Sequence, residues 1–535
     1  MPKGTLYTGG RIYTLDPASP VVDALAVSGG RIAARGSTAD LLREFSEFER
    51  VDLAGRTMLP GFVDAHIHLA SLGIALKRVE LREARTLADA VAQVGVAAGR
   101  SRPREWIQGR GWDKNLWPDR RFPTKDDLDP VVPNNPVALT SKDGHLLWVN
   151  SEALRLAGIS PWSTDPPGGA IDRDGMGEPT GLLKEEAKAL VFRVIPPMLP
   201  QAVEDGIREA TALLHSYGVV GVHNFEGAEV FAACRRMSAR NQLRLRVWHA
   251  IPEAGFMSGI ATGLRTGAGN DWMRIGPVKI FADGTLGSQT ANMLDPFEGQ
   301  PLNTGIAIHS REELSELVGR AVGGGFWCAI HAIGDRANRW ALDAFDQHLA
   351  ASRQLGARHR IEHVQLLHPD DITRLVRADV IASMQPIHAA ADREIADQYW
   401  GPRCRHAYAW RALADAGTHL AFGSDAPVET PSVVTGLYAA LARRRPGQPE
   451  AWYPGQALDI AAAVAAYTTG AAFASGTEQQ TGTLAAGKWA DLVVLDRDPF
   501  SAPAEELLRT SVVTTVIGGE LVYDAEGIMN VSPHA

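Results

Sequence analysis

Residues 61–70 read "GFVDAHIHLA". Two histidines, His66 and His68, stand two apart just after an apolar run. The segment ahead of them, "TMLPGFVDA", reads as a short buried strand. Strand side chains alternate faces, so residues i and i+2 point the same way, roughly 6–7 Å apart at Cα. Two imidazoles so placed at a strand end can close on one cation, at metal–nitrogen distances of about 2.0–2.1 Å. The same two residues also suit an ordinary junction of strand and loop. The remainder of the chain has to decide between these readings.

The chain has 535 residues and a formal net charge of −9. That length buries a large core, and one (β/α) barrel takes about 250 residues by itself. Charges of both signs are mixed along it. The local run Arg443-Arg444-Arg445 reads as a solvated loop or helix end, so no nucleic-acid partner is expected. Cys234, Cys328 and Cys404 are far apart, which argues against a disulfide framework and against a Cys-rich zinc site. The start, "MPKGTLYTGG", lacks an apolar leader, and no run of about 18 apolar residues occurs. A soluble, cytoplasmic protein without a membrane partner is expected.

The two chain ends look alike. "TLYTGGRIYTLDP" and "DALAVSGGRIAARGS" stand near the start, "ADLVVLDRDPF" and "TTVIGGELVYDAEG" near the end. Each is a short strand-like segment punctuated by Gly-Gly or Asp-Pro. Residues 1–57 and 480–535 are therefore expected to build one composite β-sandwich, with 58–479 inserted between them. Within the insert, β-like runs fall at 218–227, 245–251, 275–284, 326–335, 359–367, 379–388 and 419–427. The run ending at His66 makes eight. Helical patterns such as "EDGIREATALLHSYG" and "RANRWALDAFDQHLAASRQLG" alternate with them. Eight β/α units imply an α/β fold, a (β/α)8 TIM barrel. Residues 70–215 are too long for one helix and are expected to be largely an inserted lid or substrate subdomain.

A TIM barrel keeps its chemistry at the C-terminal strand ends. The residues there are His66, His68, Lys279, His331, His363 and Asp425. Four histidines, a carboxylate and a lysine at barrel-top positions point to a metal site far more specifically than H-x-H alone. The motifs "PGFVDAHIHL", "VKIFADGTLGSQTA", "HAIGDRAN", "RIEHVQ", "SMQPIH", "FGSDAPV" and "GTLAAGKWADLVVLD" carry a resemblance across essentially the whole chain. The sequence resembles the amidohydrolase superfamily, in particular amidohydrolase family 3, the YtcJ-like metal-dependent hydrolases.

The resemblance implies hydrolysis of a non-peptide amide C–N bond, of the N-acyl or N-formyl amine type. It implies two divalent ions per chain, zinc first, with Mn, Fe or Co also compatible with nitrogen and oxygen ligands. Lys279 would be carbamylated and bridge them, the alternative being an unmodified lysine facing a substrate carboxylate or Asp283. His66, His68 and Asp425 would hold one ion, His331 and His363 the other. A metal-activated hydroxide would attack the carbonyl, with Asp425 as general base and then acid. Trp112, Asp113, Asp143 and His145 would line the pocket from the insertion, although the tryptophans equally suit a subdomain core. Gln289, Gln385 and His388 would reach the substrate, and Asp335 would orient His331. Glu362, adjoining His363 on a strand, is expected to face away from the site. Two other readings stay open: a mononuclear deaminase or ester/carbamate hydrolase, and a non-catalytic metal- or ligand-binding barrel. The expected partner is a small-molecule substrate, and self-association as a homodimer is left open.

Overall fold

The computed structural model describes residues 4–141, 146–196 and 200–526. Eight strands form one parallel sheet in chain order: β1 (Phe62–Ile67), β2 (Val219–Asn224), β3 (Arg246–Pro252), β4 (Met273–Phe281), β5 (Cys328–Ala332), β6 (Arg360–His363), β7 (Ile381–Met384) and β8 (Leu420–Phe422). Every residue of β1, β2, β5, β6, β7 and β8 is buried. That suits parallel strands covered on both faces. The sheet curls into a nearly closed TIM barrel. Its first and last strands meet through the segment after β8: Asp425 N donates to His66 O at 2.7 Å, and Ser424 Oγ donates to Asp64 Oδ2 at 2.5 Å. Helices follow the strands, among them α1 (Pro200–Ser216) ahead of β2, α2 (Asp335–Gln347) and α3 (Leu349–Leu355) after β5, and α4 (Pro386–Trp400) after β7. Among the described residues no helix is long and apolar enough to cross a membrane.

The expected single strand "TMLPGFVDA" is two strands in different sheets. Thr57–Pro60 pairs with Leu492–Leu495, whereas β1 starts at Phe62. Gly61 is the joint: a Cβ there would lie 2.3 Å from a methyl carbon of Val220. Both halves are buried throughout, so no change in polarity marks the break.

The chain ends supply two further sheets. One has the order Arg31–Gly36, Ala24–Ser28, Thr5–Thr8, Glu49–Asp52. The other runs Glu520–Asp524, Val512–Ile517, Leu492–Leu495, Thr57–Pro60, Arg11–Tyr13, Val21–Val22. Tyr7, Leu25 and Ile32 of the first share one hydrophobic core with Ile12, Met58, Leu492 and Val516 of the second.

The chain divides into two compact units, Met1–Gly73 with Val203–Ala535, and Ile74–Ala202. The second has its own six-stranded sheet, from Val79–Glu80 at one edge to Gly169–Arg173 at the other. Trp112, Trp117 and Trp148 pack together in its core, with ring centroids 6.1 to 6.4 Å apart. Trp112 Nε1 donates to Leu139 O at 2.8 Å. The three tryptophans thus serve this unit's own core, and the expected pocket-lining role of Trp112 gives way to packing. Arg443 stands at a helix end, as expected, but it is not solvated. It caps the helix Val433–Ala442, is fully buried, and donates to Trp452 O at 2.7 Å and Tyr408 O at 2.9 Å. The three cysteines are buried and unpaired.

Candidate metal centre

Three buried residues from three strand ends converge at the barrel mouth. His66 on β1, His363 closing β6 and Asp425 after β8 each offer a ligand atom, all within 4.8 Å of one another. His68, one residue past β1, brings Nε2 to 3.1 Å from Asp425 Oδ1. The His331 ring on β5 lies 4.6 Å from that of His363. Lys279 on β4 is buried, with Nζ 5.0 Å from the Phe225 ring and 4.8 Å from that of Phe281. Local backbone aims two of these groups. His363 has φ +78° and Asp425 φ +57°, left-handed values that non-glycine residues adopt sparingly and that gather at functional sites.

Each clustered histidine has one ring nitrogen committed. His66 Nδ1 donates to Glu362 Oε2 at 2.6 Å, His363 Nδ1 to Gln385 Oε1 at 2.8 Å, and His331 Nε2 to the Gly284 carbonyl at 3.0 Å. The other nitrogen of each is then left with a lone pair. Burial pushes His66 down to about 4 against the pull of Glu362. Burial and the Lys279 charge push His331 down to about 3. Burial and the neighbouring His331 hold His363 well below the ordinary imidazole range. Burial alone would raise Asp425, but hydrogen bonds from His388 and His68 outweigh it and keep the carboxyl ionised. His66 Nε2 consequently faces Asp425 Oδ1 at 3.6 Å with no proton between them. Nitrogen and oxygen lone pairs converging on one point are the arrangement a divalent cation satisfies. The residues fit such an ion.

The clustered histidines rest on a buried hydrogen-bond network. Glu362 was expected to face away, yet it holds His66. Arg360 and Glu362, two apart on β6, both face the barrel interior. Arg360 donates to Glu362 Oε2 at 3.0 Å, to Ala65 O at 2.6 Å and to His223 Nδ1 at 2.8 Å. Alternation holds for this pair; His363 departs from it, because its left-handed backbone turns it back to the mouth. The legible signal is "RIE": two charges at i and i+2 in a wholly buried strand must share a face and pair.

Asp335, expected beside His331, instead accepts from Leu294 N at 2.8 Å and Arg336 N at 3.0 Å at the start of α2. The carboxylate near His331 is Asp283, with Oδ1 3.6 Å from Nε2. Asp283 accepts backbone N–H bonds from Asn292, Ile333 and Gly334 at 2.8 to 3.0 Å, and burial raises it to about 7. It is thereby committed to the loops around the mouth. Gln385 is buried and holds His363. His388 on α4 brings Nε2 to 3.3 Å from Asp425 Oδ2. Gln289 is half-buried and accepts from Gln300. Asp113 belongs to the unit Ile74–Ala202. Asp143 and His145 lie outside the described residues.

A sequence profile of the amidohydrolase family matches residues 49–523. YtcJ of Bacillus subtilis (strain 168) is 32% identical over 97% of this chain and 99% of its own length. N-substituted formamide deformylase of Arthrobacter pascens is 30% identical over 96% of this chain and 97% of its own. The crystal structure of an uncharacterised metal-dependent hydrolase from Pyrococcus furiosus superposes with a TM-score of 0.77 at 28% identity, covering 93% of this chain and 100% of the other. The chain belongs to the amidohydrolase family.

Proposed function

We propose that this protein is a metal-dependent hydrolase of non-peptide amides, converting an N-acyl or N-formyl amine and water into a carboxylate and an amine. The observation that carries this reading is the convergence of lone pairs from His66, His363 and Asp425 at the barrel mouth. Similarity to an N-substituted formamide deformylase supports the amide class. A divalent ion here supplies Lewis acidity, lowering the pKa of a water and polarising a carbonyl. Asp425 takes the proton of the attacking water and returns it to the departing amine. His388, on the far carboxylate oxygen, fixes the orientation of Asp425 during both transfers. Glu362 and Gln385 hold His66 and His363 in the tautomers that present a lone pair.

His68, His331 and Lys279 complete a two-ion set in this reading. Lys279 is buried with no hydrogen bond or ion pair among the described residues, only the faces of two phenylalanines. Its amine reacts with carbon dioxide to give a carbamate and a proton, and the anionic oxygens then join the ligands. A second reading, one ion per chain, is favoured by a different fact: among the described residues, the one cluster of ligand atoms within 4.8 Å is that of His66, His363 and Asp425. We also read the end sheets as a composite β-sandwich and Ile74–Ala202 as an insertion into the barrel.

The test is release of acid and amine from N-butylformamide and N-butylacetamide by protein of measured metal content. Activity lost to a chelator and restored by metal supports the proposal. Metal-replete protein that hydrolyses no member of a wider N-acyl amine series would overturn it. The metal-to-chain ratio separates two ions from one.

A further inference from the structure

Three of the four clustered histidines are held through their rings. His66, His331 and His363 each spend one ring nitrogen on a hydrogen bond that orients the other. His68 differs. Its side chain is 33% exposed, and among the described residues its ring makes no hydrogen bond or ion pair beyond the one with Asp425. The aim of this ring has to come from its backbone.

That backbone is gripped at both of its polar groups. His68 opens the helix Leu69–Lys77, and its carbonyl accepts the first helical bond from Leu72 N at 2.8 Å. The first four N–H groups of a helix have no partner inside it. Here the first, His68 N, donates to Ala426 O at 2.9 Å, next to Asp425. The other three meet side chains from the end of β2. Leu69 N donates to Asn224 Oδ1 at 2.8 Å, Ala70 N to Glu226 Oε2 at 2.7 Å and Ser71 N to Glu226 Oε1 at 2.9 Å. Ser71 Oγ donates to the same Oε1 at 2.7 Å. A carboxylate at a helix N-terminus is favoured twice, by charge-assisted hydrogen bonds and by the helix dipole. The two capping residues are themselves fixed. Asn224 Nδ2 donates to His249 Nδ1 on β3 at 3.0 Å, and His249 Nε2 donates to the Glu226 carbonyl at 3.1 Å. Between them, Phe225 N donates to Ile67 O at 3.0 Å, and its ring stacks on His66 at 4.2 Å. Residues 224–226 thus grip the chain on both sides of His68.

We propose that Glu226 and Asn224 are positioning residues for His68, setting the backbone from which its ring reaches the metal centre. The proposal rests on the reading of His68 as a metal ligand. Neither residue touches the ion. Each acts by fixing the first turn of the helix that His68 opens.

Zinc affinity of the full-length protein, read by competition with a chromophoric chelator, tests this, with melting checked for each variant. Glu226→Ala should weaken zinc binding at least about tenfold. Glu226→Gln, which keeps one acceptor oxygen, should weaken it by less, and it carries the same comparisons if Glu226→Ala does not fold. Ser37 caps a different helix, Thr38–Glu44, by accepting from Asp40 N at 3.2 Å, so Ser37→Ala should leave zinc affinity unchanged. In His68→Ala protein, Glu226→Ala should cause no further loss, because the group it positions is gone. Three results would each overturn the proposal alone. One is zinc affinity unchanged in the Glu226 variants while His68→Ala weakens it. Another is losses that add in the double variant, which would make Glu226 act by a route other than His68. The third is an equal loss in Ser37→Ala, the mark of a general effect of a missing cap. Zinc affinity unchanged in His68→Ala would overturn the ligand reading of His68, and the proposal with it.

Discussion

Asp425 is held from two sides, by His68 on Oδ1 at 3.1 Å and by His388 on Oδ2 at 3.3 Å. That keeps it ionised at neutral pH and ready to accept a proton. Asp425→Asn keeps the shape and one oxygen but removes the base, so turnover should fall by at least about a hundredfold. Metal content measured on the same sample separates the two roles: near wild-type turnover in metal-loaded Asp425→Asn protein would remove Asp425 as the proton carrier. Glu362 makes a different prediction. Without its carboxylate, His66 is free to take the other tautomer, and metal affinity should drop by about 10–100-fold in Glu362→Gln. Competition with a chelator reads this, and unchanged affinity would sever the link between the Arg360–Glu362 pair and the metal. At this scale the residues brought together at the mouth were legible because each closes a strand of one barrel. Glu362 is not legible from alternation alone, because the left-handed backbone of His363 breaks it, whereas the interior charge pair in "RIE" carries the signal.

The barrel strands are tied to one another by more than their ladders. His359, just ahead of β6, accepts from Cys328 N of β5 at 3.0 Å and donates to Ser352 Oγ of α3 at 2.9 Å. That fixes a neutral tautomer, and burial pushes the imidazole from 6.5 down to about 3. The unfolded chain takes up the proton first. The contribution is therefore complete above about pH 6.5 and is lost as pH falls toward about 3, at up to about 1.4 kcal/mol per pH unit. Urea unfolding between pH 7 and pH 4 should show His359→Gln losing stability with acid less steeply than the wild type, by about one proton's worth. An identical slope would mean that His359 titrates normally in the folded state. The barrel elements were readable because each is a short apolar run beside a helical pattern. The break at Gly61 was not, since neither polarity nor propensity changes there. What sets it is the approach of Val220, a contact distant in sequence.

The ends of the chain meet in one core, so neither should stand alone. Deleting residues after Thr483 removes Leu492, Val494, Val513 and Val516, all buried against residues from the first sixty. Each such side chain contributes about 1.5–3 kcal/mol, a sum comparable to the whole stability of a typical domain, about 5–15 kcal/mol. The truncated protein should lack a cooperative melting transition, and a soluble product that melts like the full chain would show that the end sheets are dispensable. The pairing of the two ends was legible from their shared strand–turn chemistry. The buried tryptophans of the other unit were not assignable from sequence, because a core indole and a ligand-facing indole share the same flanking residues.

On this reading a divalent ion sits among His66, His363 and Asp425. Anomalous diffraction from crystals of the zinc-loaded protein, recorded on both sides of the zinc edge, tests it most directly. The predicted result is a peak about 2.0–2.2 Å from a nitrogen of His66, a nitrogen of His363 and an oxygen of Asp425. An anomalous map with no peak among these three side chains, in protein shown to be zinc-replete, would contradict it.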